Sequence, residues 1–585
     1  TDAASATYNQ GGTGASSRTV ENKLQESVSV KDFGAVGDGV TDDTAAVVAA
    51  HATGRPIFFD EGNYLLNTIQ NHSFTSDLVM FGNPGRGAVL TGGGVGIFYI
   101  NSGCANLTVK NIRFNNFEKV FYHQQDLTLT INSISIDDCQ FDIIGYAAIN
   151  LEVQITKARI TNNIFKNINE GASGVAVGII LGDDDFETSD VLGDYLVADN
   201  LFDTIQSNNS EKCSGMYLYG DEVTVRDNVF RDIYNADSSE GAYAMYVRSR
   251  FANIRGNKVV DCGTTAAIQV KGAQRSEPNR QVYGVVVSEN ILRWTTAYPH
   301  SPSGIMTFNN DIQVIDNYFE YNPGSATIEF AEGSGVLAGN TFWNCGMIGN
   351  GNGYWIRAGS SADTTKNLQI HNNRFEVTLD ADTAYDISHR MLRIMYNQEN
   401  LQISDNVFSL DTFVNDSANI IDVGASSTAS KNISITNNLF DFQGAFERYA
   451  LVLSGANTNG IRICNNTVSG NELSNKAMLY AVNTPGSDVV MRDNIGAITE
   501  NSGTATLTSG TTSKNVTHGI TKGCGIPPIS AFNVTPQETL GSASFFWVDT
   551  VTNSNFNINV NTNPSTDVDF SWSVIAHTPL TIGTP

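Results

Sequence analysis

"DNVF" stands at Asp227–Phe230 and again at Asp405–Phe408, and near copies read "NNIF" (Asn162–Phe165), "DNLF" (Asp199–Phe202), "DNYF" (Asp316–Phe319) and "NNLF" (Asn437–Phe440). Aligned on its second residue, the motif recurs as Asn163, Asn200, Asn228, Asn257, Asn290, Asn317, Asn340, Asn373, Asn406, Asn438, Asn466 and Asn494, at intervals of 23 to 37 residues. Just before each Asn lies a short alternating stretch such as "VTVR", "IQVI", "LQIS" or "IRIC", which is the two-residue period of a strand. Further upstream in most repeats sits a second apolar strand, for example "GMYLYG", "AIQVKG", "ATIEFAEG" or "ALVLSG". No helix-period segment interrupts the array. Units of this kind bury their apolar faces only by coiling on one another, so the repeat predicts an all-β, right-handed parallel β-helix solenoid. The Asn is expected at the bend, tolerating a left-handed backbone and bonding to the Asn of the coils above and below, with the following apolar residues stacked inside. A leucine-rich repeat would need a denser Leu pattern and a steadier length.

Composition agrees with an ordered chain too long for one compact core: 585 residues, 53 Gly, 13 Pro, 41% hydrophobic and 16% charged. No apolar run approaches the roughly 20 residues that span a bilayer, so no membrane insertion is expected. A net charge of -26 disfavours nonspecific attraction to nucleic acid or an anionic membrane. Seven scattered cysteines without a CxxC pair read as small buried hydrophobes of a protein made in a reducing cytosol, not as a disulfide framework or zinc site. Residues 1–27 lack the apolar core of an export signal and read as a flexible lead-in or neck. Residues 28–100 read as a cap and the first coils: a Gly-Asp-Gly turn, a helix N-capped by Thr41/Asp42, then the strand "PIFF". The β-helix then takes 101–500, and alternating strands from "TATLTSG" onward make 501–585 a β-sandwich-like domain.

The stretch "VSVKDFGAVGDGVTDDTAAV" (28–47) resembles the opening motif of the pectate-lyase-like β-helix superfamily, and preceded by "SRTVENKLQES" it resembles bacteriophage tailspikes. The C-terminal "VTHGI", "SAFNVTP", "FWVDTVTNSNFNINVN" and "DVDFSWSV" are similar to the small β-domain that ends many tailspikes. Together these cover nearly the whole chain. The resemblance implies a homotrimer joined to other phage tail or baseplate proteins through an N-terminal head-binding region outside this sequence. It implies a virion protein, made in the host cytoplasm, that binds and cleaves a bacterial surface polysaccharide, O-antigen or capsule, as an endoglycosidase without cofactor or metal. Asp38, Asp42 and Asp43 of the cap motif are structural in the family.

Such hydrolysis needs two carboxyl groups roughly 5 to 9.5 Å apart, and strands of adjacent coils stack about 4.8 Å apart. With apolar side chains turned inward, the upstream strands present an outward column: Tyr217, Tyr219 and Asp221; Tyr246, Arg248 and Arg250; Gln269 and Lys271; Glu329 and Glu332; Arg357; Arg393; Asp422. Two acid clusters stand out. One is Glu329 with Glu332 and, a coil earlier, Asp311; the other is Asp221 and Glu222 with Asp184 in the matching position of the preceding coil. Tyr217, Tyr219, Tyr246 and Trp355 offer flat faces to sugar rings, and Arg248, Lys271 and Arg357 offer charge. The structural alternatives are a solvated Asp184 run and an ion pair from Glu329 to Arg357. His300 and His389 are lone histidines that a glycosidase does not require. A lyase would instead use the basic strip of Arg248, Arg250 and Lys271 beside a uronic acid, often with calcium. A non-catalytic adhesin would use the same face only to hold glycan.

Overall fold

A computed structural model describes residues 2–169, 174–182, 193–208, 212–237, 241–271, 284–308, 311–324, 326–330, 334–345, 354–359, 365–378, 391–395, 398–410, 420–423, 430–442, 451–453, 459–470, 479–481, 489–496, 498–520, 527, 529–552 and 554–575. The chain divides into two compact units, Thr1–Ile305 and Met306–Pro585.

In the first unit each regular coil carries three strands, so three parallel sheets run along it. Glu222–Arg226 belongs to the first sheet, Val229–Asn235 to the second and Ala242–Arg248 to the third; one coil later come Phe251–Arg255, Lys258–Cys262 and Ala266–Lys271. Every strand pairs in parallel with its counterpart: Glu222 with Phe251, Val229 with Lys258, Met245 with Ile268. This is a parallel β-helix. The lead-in expected to be flexible instead holds an antiparallel bridge between Thr7–Tyr8 and Arg18–Thr19 and a short helix, Val20–Leu24, capped by the Thr19 hydroxyl. In the cap, Asp43 rather than Thr41/Asp42 takes the N-cap position of the helix Thr44–His51. Its carboxylate accepts from the Val36 and Gly37 amides (2.7 and 3.1 Å), while Asp42 accepts from the Thr44 amide (3.0 Å).

The asparagine ladder has the expected partners and a different origin for the bend. Asn200 accepts at its Oδ1 from both the amide and the Nδ2 of Asn163, and Asn228, Asn257 and Asn290 repeat the pattern coil by coil, at 2.9–3.1 Å. Each Nδ2 also donates to a carbonyl inside the bend, Asn228 to Val197 at 2.9 Å. The left-handed residue, however, is the one before the Asn: φ is 58° at Asn162, 59° at Asp199, 56° at Asp227 and 64° at Gly256. That is why Asp, Asn or Gly so often precedes the motif Asn, for these residues tolerate positive φ best. The motif phenylalanines point inward and stack: Phe141, Phe165, Phe202 and Phe230 follow one another at 4.7–4.8 Å with rings within 7° of parallel.

The second unit repeats both devices, with Asn ladders from Asn317 to Asn373 and from Asn373 through Asn406, Asn438 and Asn466 to Asn494. Its phenylalanine stack runs Phe319, Phe342, Phe375, Phe408, Phe440. Towards its end the pairing turns antiparallel. Val568–Ile575 lies between Glu500–Leu507 and Phe532–Pro536, and Asn555–Val560 between Ser513–Thr517 and Phe546–Asp549. The two sheets meet through Phe556 on Phe532 and Trp572 (4.4 and 5.5 Å) and Phe546 on Phe570 (5.5 Å). The six cysteines among the described residues are buried and free.

Candidate functional site

Alternation within the third sheet decides what its outer face carries. Phe121, Ile149, Ile179, Met216, Met245 and Ile268 are in register and buried on the inside. The next residue of each strand therefore points out, and these too form one register column: Tyr99, Tyr122, Asn150, Ile180, Tyr217, Tyr246, Gln269. Two positions on, Tyr219, Arg248 and Lys271 form a second. Tyr217 meets Tyr246 at 5.3 Å and Tyr219 at 6.5 Å, Tyr243 packs on Tyr246 at 5.5 Å, and the Lys212 ammonium lies 5.6 Å from the Tyr217 ring. The aromatic face is thus assembled as the column predicts, but its members are buried: Tyr217 is 5% exposed, and Tyr219, Tyr246 and Arg248 are no more than 8%. Burial pushes the Tyr217 phenol up, keeping it a neutral hydrogen-bonding group. Asn150 Oδ1 and Gln269 Oε1, buried in the same column, have no hydrogen-bond partner within the protein.

The acids expected beside these tyrosines are engaged elsewhere. Asp221 is 2% exposed and both of its carboxylate oxygens are held by Arg250, through Nε and Nη2. Arg250 thereby leaves the basic strip, which reduces to Arg248 and Lys271. Glu222 opens a first-sheet strand, exposed and in register with Asp194, on a different sheet from the tyrosines. Asp194 is bound by Arg159 at 2.6 Å, and the Arg159 hydrogen bonds hold its carboxyl below the usual range. Glu329 pairs with Arg357 at 3.4 Å, the ion pair weighed against a catalytic role. Asp311 is not part of Glu329's face: it precedes a first-sheet strand and accepts from the Ser334 hydroxyl at 2.7 Å. Trp355 is a correction, for it is 2% exposed and lies against the Phe342 and Phe375 rings of the core (6.1 and 5.9 Å). The amides of Trp355 and Ile356 both donate to the Met391 carbonyl, an irregularity that turns the indole inward and leaves Tyr354 under Arg393, 4.7 Å from its guanidinium. Glu332, Asp184 and His389 lie outside the described residues.

A second row of acids, on the second sheet, escaped the sequence reading. Asp232 and Asp261 stand opposite each other, between the register pairs Arg231 with Val260 and Ile233 with Cys262. Asp203, in register with Arg231, flanks them one coil earlier. Thr204, Asp232 and Asp261 all have left-handed backbones (φ 57°, 51° and 51°), a bend that turns the carboxylates outward. Loss of hydration and then the charges of Asp261 and Asp203 push the Asp232 carboxyl above its ordinary value, against Arg231. Tyr234 lies two residues beyond Asp232, with the His300 ring 5.2 Å from it, and burial lowers the His300 pKa. The signal is present in the sequence as "FDT", "FRD" and "VVD", two to four residues past the motif Asn, just beyond the residues that define the repeat. Among the described residues no group of three or more His, Cys, Asp or Glu could hold a metal ion.

Residues 27–269 match the family model "Rhamnogalacturonase A/epimerase, pectate lyase-like". That segment, under half of the chain, is similar to pectate-lyase-like domains. It contains the cap helix, the tyrosine face and the acidic row, while Lys271, Asn290 and His300 lie beyond it. Among solved structures the chain is similar to variants of the tailspike protein of E. coli bacteriophage HK620. One variant aligns at a TM-score of 0.53 with 13% identity, covering 98% of this chain and 97% of that one. Another, in complex with a pentasaccharide, aligns at 0.51 with 13% identity and 98% of each chain. At that identity the likeness is one of fold, a parallel β-helix. No curated protein sequence matches the chain.

Proposed function

We propose that the chain is a bacteriophage tailspike, a virion protein that binds and depolymerises a bacterial surface polysaccharide, O-antigen or capsule, by endoglycosidic hydrolysis. The observation that carries the hydrolytic reading is the stacking of Asp232 on Asp261 with Asp203 alongside, about one strand spacing apart, close to the separation that two carboxyl groups need to share a glycosidic bond. Asp232, the carboxyl held protonated longest, acts as the acid that protonates the leaving oxygen; Asp261 acts as nucleophile or activates water. Tyr217, Tyr219, Tyr246, Arg248 and Lys271 bind the glycan on the neighbouring sheet. Asp221, Glu222, Glu329 and Asp311 are weaker candidates because three of the four are already bonded to a cation or a hydroxyl. The homotrimer and the attachment to other tail proteins belong to the same reading and rest on the sequence resemblance.

A lyase is the second reading, favoured by Arg248 and Lys271 standing in register beside Tyr219. The deciding experiment exposes a panel of bacterial O-antigen and capsular polysaccharides to the purified protein and follows reducing ends together with ultraviolet absorbance. Reducing ends alone support hydrolysis. Ends with absorbance from an unsaturated sugar overturn it in favour of the lyase, and binding with neither signal leaves an adhesin.

A further inference from the structure

The third-sheet column does not begin at the tyrosines assigned to the glycan. Towards the N-terminus it passes through Asn150, two coils and about 10 Å from Tyr217 along the sheet, then Tyr122 and Tyr99 in the next two coils. Asn150 is 1% exposed and its Oδ1 accepts from nothing in the protein. A buried amide oxygen left without a donor is destabilising, and Gln269 Oε1, further along the same column, is left so too. Beside it the half-buried rings of Tyr99 and Tyr122 meet at 5.6 Å. Lys119 holds the cluster together, its ammonium 4.0 Å from the Tyr122 ring and 4.2 Å from that of Tyr146. Glu118 and Glu152 are near enough for their charges to act on the same ammonium, so two carboxylates accompany one cation here.

We infer that Asn150, Tyr122 and Tyr99 form a further sugar subsite, specific for an uncharged hexose unit, where the same glycan extends past the tyrosine face towards the cap. This rests on the polysaccharide-binding reading above and adds residues that neither the sequence nor the comparisons assign. The chemistry selects the occupant. Asn150 Oδ1 demands a donor, which a sugar hydroxyl or an N-acetyl amide supplies. The half-buried rings offer apolar surface to the C–H face of a pyranose. The carboxylates Glu118 and Glu152 accept further hydroxyls and repel a uronic acid, the opposite preference to that expected of the Arg248 and Lys271 columns.

The test uses the whole chain and the methyl glycosides of glucose, galactose, mannose and N-acetylglucosamine at millimolar concentration, read by saturation-transfer NMR. The wild-type protein is expected to give a signal with at least one glycoside. N150L and Y122A should lose at least half of it, whereas N150D, which keeps the acceptor, should keep it. Circular dichroism melting confirms that each variant is folded. No signal from the wild type, or an undiminished signal in both N150L and Y122A, overturns the subsite. The depolymerisation assay separates the two levels: with a cleaved polysaccharide, N150L should raise KM at least tenfold with kcat unchanged. Methyl glycosides that bind at Asn150 while no polysaccharide is bound or cut would refute the tailspike reading and leave the subsite standing.

Discussion

The residue that turns each coil and the residue that ties the coils together are neighbours with separate jobs. Asp227 supplies the positive φ; Asn228, one residue on, is fully buried and spends its amide on Val197, Asn200 and Asn257. The two roles predict different mutational costs. Asn228→Ala strands the Asn200 amide and the Val197 carbonyl, each an unmet buried group, and should destabilise the unit by about 3 kcal/mol, measured by urea denaturation. Asp227→Gly should be nearly neutral, while Asp227→Val forces a branched side chain into the left-handed region at a cost of about 1–2 kcal/mol. Equal effects of the two Asp227 changes would show that its side chain, not its backbone, matters. At the same scale Asp232 makes a prediction of sign. A raised carboxyl pKa keeps the acid protonated to higher pH, so hydrolysis should fall as pH rises through that pKa. Asp232→Asn should remove this alkaline limb and lower kcat about 100-fold or more, with glycan binding retained.

Single strands of this β-helix have no stability of their own, and their character comes from what the adjacent coils present. The third sheet shows how tightly the coils approach: a Cβ on Gly215 would come within 2.4 Å of the Ala244 carbonyl and 3.0 Å of the Phe230 ring. A Cβ on Gly178, one coil earlier, would meet the Gly215 carbonyl at 2.5 Å. Gly215→Ala should therefore separate the sheet from the phenylalanine stack and cost about 2 kcal/mol, visible as a lower thermal midpoint, and it should disturb the Tyr217 face two residues away. An unchanged melting temperature would mean that the coils have slack. Packing also explains why the outward tyrosines are not the open platform that alternation alone suggests: Tyr217, Tyr219 and Tyr246 pack on one another with Ala147, Val177 and Ile180 as a second apolar layer outside the coil.

For the whole molecule, the prediction concerns product chemistry and metal dependence. A carboxylate hydrolase should release reducing ends without ultraviolet absorbance and keep its rate after dialysis against EDTA. A calcium-dependent lyase of the same fold would fail both checks. The proposed division of labour, acids on the second sheet and aromatic and basic groups on the third, also predicts that variants of the two sheets separate in kinetics. Arg248→Ala and Tyr246→Ala should raise KM, and Asp232→Asn should lower kcat.

Local sequence determined the coil. The Asn spacing, the alternation ahead of it and the Phe behind it state which residues pair, which stack and which face inward, because in a solenoid each coil answers only to its immediate neighbours. Even the left-handed corner was written there, one position earlier than the Asn suggests. Tertiary structure alone decided which outward residues remain available. Asp221 and Arg250 lie 29 residues apart and Glu329 and Arg357 in consecutive coils, so the neutralisation of each acid depends on side-chain reach across the stack. Trp355 turned inward because of a shared hydrogen bond to Met391 that no period reveals. Asp232 acquired its raised pKa from burial and then from the charges of Asp261 and Asp203 in other coils, since hydration and field at a carboxyl group are set by what is near in space and not by what is near in the chain.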